Sequence, residues 1–125
     1  MLHQIVLIFC DKDSDIAARV HDSLLLAGLT VWSGKADELK PVAQNAGCCV
    51  VILSPDANGD ARVDQQLNLA HSGNLKIFPV IGRGDEWSAI PRAFIGTQII
   101  DVRANHDARM ARLIGLIKDH LNIRD

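Results

Sequence analysis

Residues 5–32 read IVLIFCDKDSDIAARVHDSLLLAGLTVW, and this stretch decides the fold. It opens on a continuous apolar run, Ile5-Val6-Leu7-Ile8-Phe9, bounded at once by the charged Asp11-Lys12-Asp13. A short run of β-branched and large apolar residues with a polar stop reads as a strand covered on both faces. Ile16, Val20 and Leu24 then recur at intervals of four, with Ala17 and Ala27 on the same side, which makes one face of a helix. Asp13 or Ser14 is placed to accept hydrogen bonds from that helix's free N–H groups, and Gly28 is placed to stop it. Leu29-Thr30-Val31-Trp32 begins a second strand. A strand, a helix and another strand in this order is the crossover unit of a parallel sheet.

The rest of the chain repeats the alternation. Cys48-Cys49-Val50-Val51-Ile52-Leu53 and Ile77-Phe78-Pro79-Val80-Ile81 are further strands, and Ile99-Ile100 with Val102 is a weaker one. Val63, Leu67 and Ala70 mark a helix ending near Gly73. Met110, Leu113, Ile114, Ile117 and Leu121 mark the clearest helix, at the C-terminal end. Pro41 to Ala46 offers a short helix stopped by Gly47, and Asp85–Phe94, which holds Pro91, is expected to be irregular. Right-handed crossovers leave few topologies. The expectation is one α/β domain over residues 1–125: a flavodoxin-like three-layer α/β/α fold with a five-stranded parallel sheet in the order 2-1-3-4-5. Its switch point lies between strands one and three, where ligands collect at the carboxyl ends. Those ends are Cys10-Asp11-Lys12-Asp13 and Ser54-Pro55-Asp56.

Composition narrows the function. Lys and Arg number 13 against 15 Asp and Glu, for a formal net charge of −2 in 125 residues. Nucleic-acid binding would show as a basic excess, so no nucleic-acid partner is expected. The basic residues of the last stretch alternate with acidic ones and read as a solvated helix face. The three cysteines, Cys10, Cys48 and Cys49, form no CxxC pair and suit a reducing compartment. No apolar run approaches the roughly 20 residues that span a bilayer, so the expected location is the cytoplasm, with no membrane partner. The histidines have no metal-ligand spacing, and His71 reads as a helix-surface residue. No metal site, nucleophilic triad or Gly-rich phosphate loop is readable. Arg83-Gly84-Asp85 spells an adhesion tripeptide, taken as chance.

Two families share this outline. Receiver domains of phosphorelays need an acidic pair after strand one, an aspartate ending strand three and a lysine after strand five. Asp11 and Asp13 imitate the pair, but strand three ends in Ser54, and strand five is followed by Asp101-Val102-Arg103 with no lysine. The other family matches more of the chain. Residues 5–32, the VVILSPD turn, the LKIFPVI strand, and Ile90-Pro91 followed by Gln98-Ile99-Ile100-Asp101 occur in the order of its motifs. Over residues 4 to 102 the sequence resembles a TIR (Toll/interleukin-1 receptor-like) domain, closest to the bacterial branch. The resemblance implies the same fold, association with itself or other TIR domains, NAD⁺ or a related nucleotide as the cleft's ligand, and a setting in bacterial immune signalling.

Catalytic members of that family cleave NAD⁺ with a glutamate on the helix after the "LSP" turn, where a carboxylate stabilises the positive charge developing on the ribose. Here the helix reads Arg62-Val63-Asp64-Gln65-Gln66-Leu67, and Gln66 stands at the glutamate's position. Glutamine keeps the shape and the hydrogen bonds but carries no charge. The segment Ser33 to Gly47 is also shorter than the family's loop and lacks its "P-G" box. Glu38 and Asp64 are the candidate substitute carboxylates, although Asp64, two positions from Gln66, points to a different face. Asp11, Lys12, Asp13, Ser54 and Gln66 are the candidate ligand-binding residues at the cleft mouth. Trp87 and Arg83, in a loop, are the candidate partner contacts, whereas Trp32 is expected to pack. The expected function is a non-catalytic signalling module acting by association or by binding a nucleotide-like ligand. An NAD⁺ glycohydrolase with a rearranged site is the alternative, and a phosphorelay receiver the second alternative.

Overall fold

The opening crossover unit forms as its periodicity dictates. The computed structural model describes residues 4–33 and 46–123. Strand β1 (Ile5–Ile8) leads through a 3-10 turn at Asp11–Asp13 into helix α1 (Ser14–Leu26), and β2 follows at Val31–Trp32. Helix α1 ends because Gly28 adopts φ +85°, a left-handed conformation that glycine takes without a Cβ clash. The Gly28 amide then donates to Leu25 O at 2.9 Å and Leu29 to Leu24 O at 3.1 Å, which satisfies the last-turn carbonyls.

After β2 come β3 (Cys48–Leu53), α2 (Ala61–Ser72), β4 (Lys76–Ile81), a four-residue α3 (Glu86–Ala89), a 3-10 turn (Arg92–Phe94), β5 (Ile100–Asp101) and α4 (His106–Leu121). The sheet order is β2-β1-β3-β4-β5, as expected, and every pairing is parallel. Alternation along the central strands sorts their side chains into two cores. Ile5, Leu7, Val50, Ile52 and Val80 pack with Val20 and Leu24 of α1 and Met110, Leu113 and Ile117 of α4. Val6, Ile8, Cys49, Val51 and Leu53 pack on the other face with Val63 and Ala70 of α2. Cys48 and Cys49 enter β3 as buried free thiols, and burial pushes the Cys48 thiol up to about 12.

Two local expectations change. The stretch expected to be irregular holds α3 and the 3-10 turn, because Asp85 caps α3 by accepting from the Ser88 amide at 2.9 Å. Helix α2 ends at Ser72 with Gly73 as its C-cap, as expected, and the left-handed residue that follows is Asn74, at φ +58°. The fifth strand is shorter than its apolar run, pairing only Ile100 and Asp101 with Val80 and Ile81. The short helix expected at Pro41 to Ala46 lies, but for Ala46, outside the described residues.

The Arg83-Gly84-Asp85 tripeptide has a structural explanation. Gly84 has φ +83°, and a Cβ there would sit 2.5 Å from the Pro55 ring. Left-handed backbone and a clash with a rigid ring both oppose a side chain. Gly84→Ala is expected to lower unfolding free energy by about 2–4 kcal/mol in urea titration, the sum of those two effects. Gly115→Ala, where an added Cβ meets open space, is the stable control.

Candidate functional site

The chain leaves β1, β3 and β4 on the same edge of the sheet, and one buried carboxylate ties the three exits together. The 3-10 turn after β1 carries Asp13 inward until it is 1% exposed. Its Oδ2 accepts from Ser54 Oγ, at the end of β3, and from Cys10 Sγ at 3.1 Å. Its Oδ1 accepts from Arg83 Nε, just beyond β4, at 2.6 Å. The same guanidinium donates through Nη2 to Asp56, and Lys12 Nζ reaches Asp56 at 3.5 Å. Ser54 Oγ in turn accepts from the Ala57 amide at 3.1 Å. The charge of Asp13 is thus paired and hydrogen-bonded, as burial of a carboxylate requires.

The network also sets protonation states. The Arg83 hydrogen bond holds the Asp56 carboxyl below its ordinary range, with Lys12 adding to the effect. Burial first, and then the hydrogen bond and charge of Asp13, raise the Cys10 thiol, so it stays a donor.

A separate cleft opens beside this network. Leu7, Phe9, Asp11, Ser33, Arg62 and Gln66 enclose about 190 Å³. Asp60 sets the start of α2 by accepting from the Arg62 and Val63 amides at 2.9 and 3.0 Å. That start places Gln66, 4% exposed, on the buried face of the helix with Val63 and Ala70. Asp11 is ion-paired with Arg62 across the mouth.

The structure therefore divides the five candidate ligand-binding residues. Asp11 and Gln66 line the cleft, Asp13 and Ser54 lie in the buried network, and Lys12 is exposed beside Asp56. Asp13 stands at the N-cap position of α1 but makes no side-chain bond to the helix N–H groups; its backbone there is not extended, and its carboxylate is held by Ser54, Cys10 and Arg83. Arg83 is not an open loop residue. Its side chain, 36% exposed, is bound to Asp13 and Asp56. Trp87 is 95% exposed, Trp32 packs half-buried against the α2-side core, and His71 is exposed. Asp64 is exposed and lines a different hollow, and Glu38 lies outside the described residues. Among the described residues no cluster of three His, Cys, Asp or Glu could hold a metal ion. No described helix is long and apolar enough to cross a membrane. The sequence reading missed Arg62 and Asp56, whose partners lie 51 and 27 residues away.

The family model described as "TIR domain" matches residues 5–114. The chain belongs to the TIR-domain family. It is a TIR signalling module on a flavodoxin-like frame, which sets the receiver alternative aside. No curated protein matches the sequence. Among solved structures, the TIR domain of the Toll-related receptor TRR-2 from Hydra magnipapillata is similar, with TM-score 0.76 and 18% identity. That match covers 96% of this chain and 99% of the other. The RPS4 and RRS1 TIR domain heterodimer aligns with TM-score 0.67 and 13% identity, over 94% of this chain and 97% of that one. A flavodoxin-like domain from Synechococcus aligns with TM-score 0.64 and 14% identity, over 94% and 95%. These likenesses are likenesses of fold.

Removing the guanidinium would strand the Asp13 charge. Breaking a wholly buried pair costs about 3–5 kcal/mol; partial exposure of Arg83 brings the expected loss for Arg83→Ala to about 2–3 kcal/mol in chemical denaturation. The acid limb should change as well. Because the folded Asp56 pKa is lowered, its contribution is complete above the unfolded carboxylate value of about 4 and is lost as pH falls through the folded value. In Arg83→Ala, stability measured from pH 5 downward should fall less steeply than in the native protein.

Proposed function

We propose that this TIR domain is non-catalytic and signals by association with itself or with another TIR domain. The observation that carries the reading is Gln66, an uncharged side chain buried at the wall of the cleft. Cleaving the bond between nicotinamide and ribose builds positive charge on the sugar, and a fixed carboxylate in a water-poor site lowers that barrier most. An amide at the same place supplies a dipole and no charge. Asp11, the one carboxylate among the described residues that line the cleft, is paired with Arg62. At about 190 Å³ the cleft is also smaller than the ~300–1,000 Å³ of ordinary small-molecule sites, which favours association over nucleotide binding.

Association is supported from the surface. Trp87 and Ile95 are large apolar side chains, 95% and 70% exposed, and tryptophan is among the residues that most often anchor protein interfaces. The similar RPS4 and RRS1 domains are described as a heterodimer. Three free, buried cysteines accord with a reducing cytoplasm, and bacterial immune signalling is the setting the family resemblance suggests.

The test is nicotinamide release from NAD⁺ by the purified protein at high concentration, beside a Gln66→Glu variant. The native protein is expected to release none above the blank. Release by the variant alone would mark a hydrolase cleft that lacks only its carboxylate; silence from both would mark a cleft that has lost more. Sustained turnover by the native protein would overturn the reading.

A further inference from the structure

We propose that Asn58 is a site of spontaneous deamidation, and that its conversion to an aspartyl or isoaspartyl residue frees the α3 segment that carries Trp87. The proposal goes beyond the association reading and does not depend on it.

The turn between β3 and α2 sets up the reaction. Of the protein's asparagines, only Asn58 is followed by glycine. The attacking atom in deamidation is the amide nitrogen of the next residue, and a side chain on that residue obstructs the attack. Gly59 has none, is exposed, and has nothing within 4 Å of where a Cβ would stand. The amides on either side of it are held: Asn58 N donates to Ser54 O and Asp60 N to Ala57 O, each at 3.1 Å. The Gly59 N–H donates to no group among the described residues, so its nitrogen is open to water and to base. This nitrogen attacks Asn58 Cγ and loses its proton as the N–Cγ bond forms. The Cγ–Nδ2 bond breaks, and ammonia departs. Water then opens the five-membered imide, at Cγ to give aspartate or at the main-chain carbonyl to give isoaspartate. Water enters and ammonia leaves, with no other reactant.

The same side chain is a strut. Asn58 Nδ2 donates to Ser88 O of α3 at 3.1 Å and ties the turn to that helix. Helix α3 is four residues long, too short to hold itself, and its cap is the Asp85 carboxylate on the Ser88 amide. A carboxylate at position 58 has no proton to donate and would face Ser88 O acceptor to acceptor. It would also add charge to a turn in which Asp60 must keep its oxygen on the first amides of α2. Isoaspartate lengthens the main chain by a methylene two residues before that cap. Either product therefore loosens the turn and releases α3, and Trp87, 95% exposed, goes with it. The strut is also a brake. Held at Ser88, the Asn58 side chain is restrained from turning onto the Gly59 nitrogen, so the reaction rate reports the opening of α3.

Peptide mapping by mass spectrometry tests the proposal, on native protein aged at mildly alkaline pH beside the urea-unfolded chain. Asn58 is expected to convert to a mixture of aspartate and isoaspartate, more slowly in the native protein than in the unfolded chain. Asp85→Ala, which removes the α3 cap, should speed the native reaction about fivefold, the factor a lost helix cap is worth. Asn58→Gln, whose amide carbon lies one methylene farther out, should stop it. Hydrogen exchange reads the consequence. In Asn58→Asp the Ala89 amide, which donates to Asp85 O at 3.0 Å in the native protein, should exchange faster. About fivefold is the factor expected for one lost hydrogen bond, with the amides of β3 unchanged. Asn58 intact after the unfolded chain has converted, a rate indifferent to Asp85→Ala, or an Ala89 amide unchanged in Asn58→Asp would each overturn it.

Discussion

One carboxylate organises the functional edge of this domain. Asp13 is buried where three strands end, and a charge in that place is tolerable only if its oxygens are fully used. Ser54 and Cys10 use one oxygen and Arg83 the other. The consequences spread outward. Arg83 must turn inward from the β4 exit, Gly84 must follow it in a left-handed conformation against Pro55, and Asp56 must come round to the remaining guanidinium nitrogen. Part of the charge that sequence alone would assign to the cleft is thereby committed to holding strand exits together.

What remains for the cleft is modest. Asp60 sets the register of α2, that register turns Gln66 inward, and Arg62 closes over Asp11. On the proposed reading an amide stands where NAD⁺ cleavage would need charge, the one cleft-lining acid among the described residues is paired with Arg62, and the space is about 190 Å³. Catalysis by electrostatic preorganisation depends on charge fixed where the transition state develops it. Here the fixed charge serves the architecture. The large exposed apolar side chains lie elsewhere, at Trp87 and Ile95 and at Leu25 and Leu26 of α1.

The fold was legible because alternation is a strong signal. The runs at Ile5–Phe9 and Cys48–Leu53, the stripe Ile16-Val20-Leu24 and the stop at Gly28 give the alternation, and right-handed crossovers then leave few sheet orders, of which the expected 2-1-3-4-5 is the one observed. The inward turn of Gln66 follows from the register of α2, which puts it on one buried face with Val63 and Ala70. The role of Asp13 was not legible. A helix N-cap and a buried ion pair call for the same residue type just before a helix, and the deciding partner, Arg83, is 70 residues away. The Asp11–Arg62 pair was hidden for the same reason. Arg83 looked like a surface residue because its segment is rich in glycine and charge, a pattern shared by open loops and by turns bent to deliver one side chain inward.

The central claim is that Asp13 and Arg83 serve the architecture and leave the cleft without a working charge. The Arg83 Nε–H resonance tests it most directly, observed by ¹⁵N-correlated NMR with and without millimolar NAD⁺. The account predicts a slowly exchanging signal, lost in the Asp13→Asn variant and unmoved by the nucleotide. A signal that exchanges freely in the native protein, or one that shifts on adding NAD⁺, would contradict it and return Asp13 and Arg83 to the ligand site.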